Sequence, residues 1–453
     1  MKKFLVVFLA LIMIVAVFAG CGKTPDNSSK ASENSQQEQS SEAGSKYPSG
    51  YAFDETSYKG KTLRWWNHWD TVDTKGYIAE FENATGAKIE YSTLSGNGGT
   101  EYAAQLSSAI TAGTGPDIAV VYDWALPAWT RKGLLIPLSE VLDVTEEIYQ
   151  KNISQSMLDF FTYQNESYVI NTSNVACYYL LYRKDLIDEA GLDDPYELWQ
   201  NGEWNYEKFN EYMQALTYDS DDDGVIDMRG LTGYTDEGWL GTVENGNYVR
   251  WKEDGTPYFA LTDSDMLECI VENRECMYNG WQKQDVLPVD EFKSGKFAFF
   301  YSAQWDWQVV IEAFGAENIG WVQMPYAMGN TSKVVLNRTN AVGYAFPSCI
   351  KEKGLAEHYI KYNMFWKRID VDPEESIAEY VETSFGGIRE LYDFHTEMQK
   401  QTFAPNAGCF SVLANVIQSK ILWNFDDTPA NQVQSAKAAA QSLIDEVFYG
   451  DDE

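Results

Sequence analysis

The chain has 453 residues, enough for two or three domains at roughly 150 residues each. With 68 acidic against 34 basic residues its formal net charge is −34, which repels phosphate backbones and excludes a general nucleic-acid-binding face. A hydrophobic content of 44% marks a globular chain, and the three His residues, 68, 358 and 395, lie too far apart for a sequence-local zinc motif.

The first segment is a leader. Lys2 and Lys3 precede an unbroken small-and-apolar run from Phe4 to Ala19, the charged and hydrophobic regions of a secretory signal over residues 1–20. The run ends Phe18-Ala19-Gly20-Cys21, and small residues before a Cys resemble the bacterial lipoprotein signal, which implies a lipid on Cys21. Phe18 departs from the Leu that this pattern prefers. The competing reading is a transmembrane anchor, but the run falls short of the roughly 20 residues a span needs. Residues 22–46 contain no Leu, Ile, Val, Met, Phe, Tyr or Trp, so they cannot repay their ordering entropy. Residues 21–57 are therefore expected to be a flexible tether that holds the folded part near the outer face of the cytoplasmic membrane. Beyond Cys21 the five Cys residues are 177, 269, 276, 349 and 409. Cys269 and Cys276 share a stretch of helical pattern that sets them about 10.5 Å apart, too far to bridge. Buried free thiols are expected.

Leu63 to Trp66 reads as a short strand, with Trp65 and Trp66 on opposite faces. Tyr77, Ile78 and Phe81 then give a helical face that ends near Gly86, and Ile89 and Tyr91 alternate as in a second strand. Tyr102, Leu106 and Ile110 sit four apart on a second helix, stopped by Gly113 and Gly115. Ile118–Tyr122 is a continuous apolar run suited to a buried parallel strand. The order β-α-β-α-β implies right-handed crossovers, with ligands bound outside the carboxyl ends of the strands. That singles out two loops, Asn67-His68-Trp69-Asp70 and Asp123-Trp124. Asn431–Val447 reads as an amphipathic terminal helix.

The fragments LRWWNHWD, FENATGAKIEY and SSAITAGTGPDIAVVYDWALPAWTRKGLLIPLSEVLD, followed by YYLLYRKDLIDEAGLDDP, FKSGKFAFFYSAQWD and NIGWVQMPYAMG, together resemble the extracellular solute-binding proteins of sugar ABC transporters. The likeness covers roughly residues 60–450. It implies an α/β, two-lobed periplasmic-binding-protein-like fold whose discontinuous lobes are joined by a hinge. By analogy the first lobe is 58–170 plus 336–385, and the second 171–335 plus 386–453. Tyr168-Val169-Ile170-Asn171 lacks the Pro that the family has near its first crossing, which leaves the hinge position open. The resemblance further implies a monomer that binds a carbohydrate and delivers it to ABC permease subunits, without covalent chemistry.

A flat indole covers the apolar C–H face of a pyranose, while Asp, Asn, Glu and His satisfy its hydroxyls. The candidate ligand residues on the first lobe are Trp66, Asn67, His68, Trp69, Asp70, Asp123 and Trp124. On the facing lobe they are Glu237, Trp239, Trp305 and Asp306. The competing role for each Trp is core packing, because Trp is highly buried on average. Asp70 and Asp123 could also be read as the acid–base pair of a glycoside hydrolase or lyase, but in a chain with 68 acidic residues such pairs arise by chance. A surface sensor on the same fold is the third reading.

Asp219-Ser220-Asp221-Asp222-Asp223-Gly224-Val225-Ile226-Asp227 matches the start of a calcium loop. The ligands would be Asp219, Asp221, Asp223, the Val225 carbonyl and Asp227. Gly230 stands where an EF-hand needs its bidentate Glu, so a structural Ca2+ rather than a sensor is expected, against a plain solvated acidic loop. Gly60-Lys61-Thr62 lacks the Gly a phosphate loop needs at position 55, which is Glu55.

Overall fold

The computed structural model describes residues 58–450, apart from 69–76, 95–99, 154–157, 159–160, 172–175, 284–287, 365–372, 404–412 and 414–415. The leader, Cys21 and the tether lie outside the described residues. Among those described, no helix is long and apolar enough to cross a membrane.

The chain opens β1 (Thr62–Asn67), α1 (Tyr77–Thr85), β2 (Lys88–Thr93), α2 (Thr100–Thr111), β3 (Ile118–Tyr122), α3 (Leu126–Arg131) and β4 (Leu135–Ile136). Strand β1 buries Leu63, Trp65 and Asn67 in strict alternation. Trp65 is sealed in core, edge-on to Tyr91, Tyr344 and Tyr359. Helix α2 buries Tyr102, Leu106 and Ile110 on one stripe. Helix α1 ends at Gly86, whose φ of +67° only Gly adopts without strain.

Strand β5 (Val169–Ile170) leads to β6 (Ala176–Arg183), α4 (Tyr206–Ala215), β7 (Arg229–Gly233), α5 (Thr235–Gly238), α6 (Ser264–Tyr278), β8 (Phe297–Ala303), α7 (Trp307–Phe314), β9 (Ile319–Val322) and β10 (Asn337–Asn340). The remainder is β11 (Val342–Pro347), α8 (Lys353–Met364), α9 (Pro373–Phe385), α10 (Arg389–Met398), β12 (Thr402–Phe403) and α11 (Pro429–Phe448).

Two six-stranded sheets result. The first runs β2-β1-β3-β11-β4, with β5 also on β11. Its β1, β2 and β3 are parallel, as the βαβ pattern requires, but β11 joins them antiparallel. The second runs β12-β10-β6-β8-β7, with β9 also on β6. Strand β6 is buried on both faces: Tyr178, Leu180 and Tyr182 enter one core, Cys177, Tyr179 and Leu181 the other. That accounts for its unbroken apolar run. Cys177, Cys269 and Cys276 are buried free thiols, as expected, while Cys349 is a free thiol that is only partly buried and Cys409 lies outside the described residues.

Among the described elements the chain passes between the sheets three times, after β5, after β10 and after α8. The described ends of the first two passages lie side by side, because Asn340 pairs with Ala176 and Tyr344 pairs with Ile170. They are tied together where the Asn171 amide donates to the Val342 carbonyl, and the second is tied to the end of β3, where the Asp123 N–H donates to the Ala341 carbonyl at 3.0 Å. The boundaries differ from those drawn by analogy. Strand β10 belongs to the second sheet, through Thr339 opposite Cys177. Helix α9 also belongs there, because Phe385 buries itself against Trp307 and Trp321. Among the described residues after 336, β11 and α8 return to the first lobe, where Tyr359 packs on Phe81 and Trp65. Helix α11 is capped by the Thr428 hydroxyl, which accepts from the Asn431 N–H. It buries Val433, Ala436, Ala440, Ile444 and Val447 in the second lobe's core.

Candidate functional site

Strand β3 ends in a single 3-10 turn, Asp123–Ala125, that runs straight into α3. Strand β8 ends the same way, in Gln304–Asp306 followed by α7. Each turn carries a Trp at its middle position, Trp124 in one and Trp305 in the other. Both flank the paired passages between the sheets: Tyr122 lies opposite Val342, and Ala303 lies opposite Tyr178, two residues into β6. The two lobes thus present one local design on either side of the crossing.

On the first lobe, Trp124 stacks on Tyr122, ring centroids 5.4 Å apart and planes 19° off parallel. The Tyr122 hydroxyl is 2.6 Å from His68 Nδ1. Partial burial lowers the His68 pKa, so the ring is held neutral and able to accept as well as donate. Burial, with Asp123 adding, pushes the Tyr122 phenol up to about 12. Asn67 is buried, and its Oδ1 accepts from the His68 N–H at 2.7 Å, fixing the loop at its root. Trp66 is half-buried and lines a hollow of about 640 Å³ with Leu94, Gln105 and Ser108 beside α2. Trp69 and Asp70 lie outside the described residues.

On the second lobe, Trp305 is 53% exposed. Its ring stands edge-on to Tyr178 at 5.5 Å and near Tyr234 at 6.2 Å. The Arg338 guanidinium covers the Tyr178 ring at 4.3 Å. Asp306 is buried; desolvation pushes its carboxyl up to about 6, against a hydrogen bond from Tyr234. Its Oδ2 has no hydrogen-bond partner among the described residues. Of Glu237 the helical backbone is described and the side chain is not.

Trp239 requires a correction. It has no exposed surface and stands between Tyr206 and Phe209 in the core. The turn Trp239–Thr242 that follows α5 is wholly buried, so this indole packs instead of offering a face. Sequence reasoning missed Tyr122, Tyr178 and Tyr234 as members of the two aromatic clusters. The signal was present for Tyr122, a Tyr at the carboxyl end of a buried strand and two residues before Trp124. Asp236, beside Glu237, is also buried, and its Oδ2 accepts from Gln418 at 3.1 Å.

The acidic loop is ordered by its own carboxylates. Asp219 Oδ2 accepts from the Gly224 N–H at 2.7 Å, and Asp223 Oδ1 from the Val225 N–H at 2.7 Å. Asp227 Oδ2 accepts from the Ser220 hydroxyl and, at 2.9 Å, from the Ser220 N–H, and the two bonds, the hydroxyl's first, lower the Asp227 pKa. Asp219, Asp221 and Asp227 offer oxygens within 4.8 Å of one another. That span suits one ion with 2.3–2.6 Å oxygen ligands, and the all-oxygen donor set suits Ca2+. Asp223 stands outside that group, and Gly224, at φ +87°, makes the sharp turn the motif demands.

Residues 76–363 match the family model for the bacterial extracellular solute-binding protein. No curated protein sequence matches the chain. Among solved structures, an ABC substrate-binding protein from Listeria monocytogenes in complex with cycloalternan is similar at 17% identity and a TM-score of 0.66, covering 86% of this chain and 99% of that one. The maltose/maltodextrin-binding domain from Bdellovibrio bacteriovorus bound to maltotriose is similar at 17% identity and 0.62, over 84% and 99%. A solute-binding protein from Thermotoga lettingae bound to α-D-tagatose gives 17% and 0.61, over 85% and 100%. At such identities these likenesses speak for the fold alone. The family match spans well over half of the chain, and this protein belongs to the bacterial extracellular solute-binding proteins.

Proposed function

We propose that the protein captures a carbohydrate, an oligosaccharide in preference to a single sugar, outside the cell membrane and presents it to the permease of an ABC importer. The observation that carries this reading is the repeated strand-end turn. Trp124 on Tyr122, and Trp305 on Tyr178, put an aromatic face on each lobe beside the crossing, in a family of binding proteins. The solved likenesses with cycloalternan and maltotriose supply the ligand class.

In this mechanism the indoles cover C–H faces, and Asp123, Asp306 and His68 exchange hydrogen bonds with hydroxyls. Each such bond in a desolvated cleft discriminates because a mismatched ligand leaves a buried polar group unpaired. The two adjacent passages, tied at Asn171 and Val342, act as hinge strands. Ligand contacts from both lobes favour the closed form, and that form is what the permease recognises. The protein performs no covalent chemistry on the sugar. It works as a monomer, held by lipid on Cys21 to the outer face of the cytoplasmic membrane. Asp219, Asp221 and Asp227, with Asp223 and the Val225 carbonyl drawn in, hold a structural Ca2+ that relieves their mutual repulsion. A glycan panel read by thermal shift, followed by calorimetry on the leading hit, tests the reading. Saturable binding with the sugar recovered intact supports it, and a cleaved sugar points to the hydrolase instead.

A further inference from the structure

Helices α4 and α6 of the second lobe line a hollow of about 420 Å³ that shares no residue with the strand-end turns. Leu267, Val271 and Met328 give it an apolar side, and Met328 is 49% exposed there. Its polar side carries the carboxyls of Glu207, Glu268 and Glu272, the Asn210 amide and the Tyr206 and Ser264 hydroxyls. Glu272 is only 7% exposed, and its Oε1 has no hydrogen-bond partner among the described residues. Asn210 hydrogen-bonds the same carboxyl group, which leaves Asn210 Oδ1 buried and also without a partner. Glu268, next in line, is engaged by the Gly329 N–H at 3.2 Å.

A buried carboxylate oxygen beside a buried amide carbonyl is costly unless donors reach both, and a cationic donor also offsets the carboxylate's charge. Burial pushes the Glu272 carboxyl up to about 7, the mark of a group that lacks such a partner. A metal ion does not match the arrangement. Among the described residues, the carboxylates that converge tightly enough are Asp219, Asp221 and Asp227. A primary ammonium carries three donors on a point charge, and its alkyl stem lies well along apolar side chains. We propose that this hollow is a second binding site, for a primary alkylammonium group. The head meets Glu272 and Asn210 Oδ1, and the stem runs along Leu267, Val271 and Met328. Free aliphatic amines and the lysine side chains of a protein both supply that group. The site stands independently of the carbohydrate reading.

The test uses the full chain labelled with carbon-13 at its methionine methyls, with the Met328 signal assigned through Met328→Leu. It is titrated separately with n-butylammonium, with a terminally blocked Gly-Lys-Gly peptide, and with n-butanol as the uncharged control. The expected result is a saturable Met328 shift with at least one ammonium probe at about 1–10 mM, fitting a fragment of that size. Glu272→Gln should weaken it by about tenfold or more through loss of the charge-assisted contact. Val271→Phe, which keeps the carboxylate but fills the hollow, should abolish it. The tighter of the two ammonium probes identifies the source, free amine or lysine. The proposal is overturned if neither ammonium probe saturates, if butanol shifts Met328 equally, or if Glu272→Gln binds within twofold of wild type. Glycan affinity of Glu272→Gln should equal that of wild type, so either reading can fail alone.

Discussion

Replacing Trp305 by Ala should cost affinity and little stability. A Trp side chain can bury up to about 250 Å², and 53% of Trp305 is exposed. About 130 Å² is thus open to a ligand, and a sugar face covering two-thirds of it at about 25 cal/mol per Å² removes roughly 2 kcal/mol when lost. At about 1.4 kcal/mol per decade that is roughly a 30-fold rise in Kd. Trp239→Ala provides the contrast, since that indole is fully buried between Tyr206 and Phe209. Its removal should lower stability by about 3–5 kcal/mol and leave the affinity of the surviving folded protein near wild type. Titration calorimetry with the leading glycan, beside a denaturant melt of each variant, separates the two behaviours. If Trp305→Ala binds within twofold of wild type while Trp239→Ala loses affinity at full stability, the strand-end turn is not a ligand platform.

Chelation should lower the melting temperature if the acidic loop holds Ca2+, and Asp219→Asn with Asp221→Asn should remove that sensitivity; identical melts with and without chelator count against the ion. His395, buried beside Tyr179 and Trp307, has its pKa lowered to about 4 by burial. The folded state then binds fewer protons than the unfolded one, so this contribution is present above pH 6.5 and lost as pH falls through about 4, roughly 3 kcal/mol in all. The melts of wild type and His395→Gln, compared across that window, should converge as the pH drops, and parallel curves would contradict the assignment. Cys21→Ser should release the protein from membranes or leave it unprocessed, read by fractionation; mature-sized protein still in the membrane would rule out the lipid anchor.

The first lobe was legible because its elements announce themselves by period. Alternation separated Trp65 from Trp66, the four-residue spacing of Tyr102, Leu106 and Ile110 drew α2, and the run Ile118–Tyr122 suited a buried parallel strand. The second lobe was harder to divide. Strand β10 reads Asn-Arg-Thr-Asn and carries no apolar signal, and its place in the sheet is set by pairing with Cys177, far away in sequence. Helix α9 could be assigned only through the burial of Phe385 against Trp307 and Trp321, a tertiary fact. At the site, residue type pointed to Trp124, Trp305 and Asp306 but could not tell an exposed indole from a packed one. The distinction lies in whether the following turn is open, as at Gln304–Asp306, or sealed, as at Trp239–Thr242. The aromatic supports Tyr178 and Tyr234 come from different strand ends, and no local pattern joins them.

The most direct measurement is the melting of the purified protein against a panel of oligosaccharides, with each sugar analysed after incubation. A cognate sugar at about 100 times its Kd should stabilise the native state by about 2.7 kcal/mol and be recovered unchanged. A panel of α- and β-linked glucans and mannans that leaves the melt unmoved, or one whose members are shortened by the protein, would contradict carbohydrate capture.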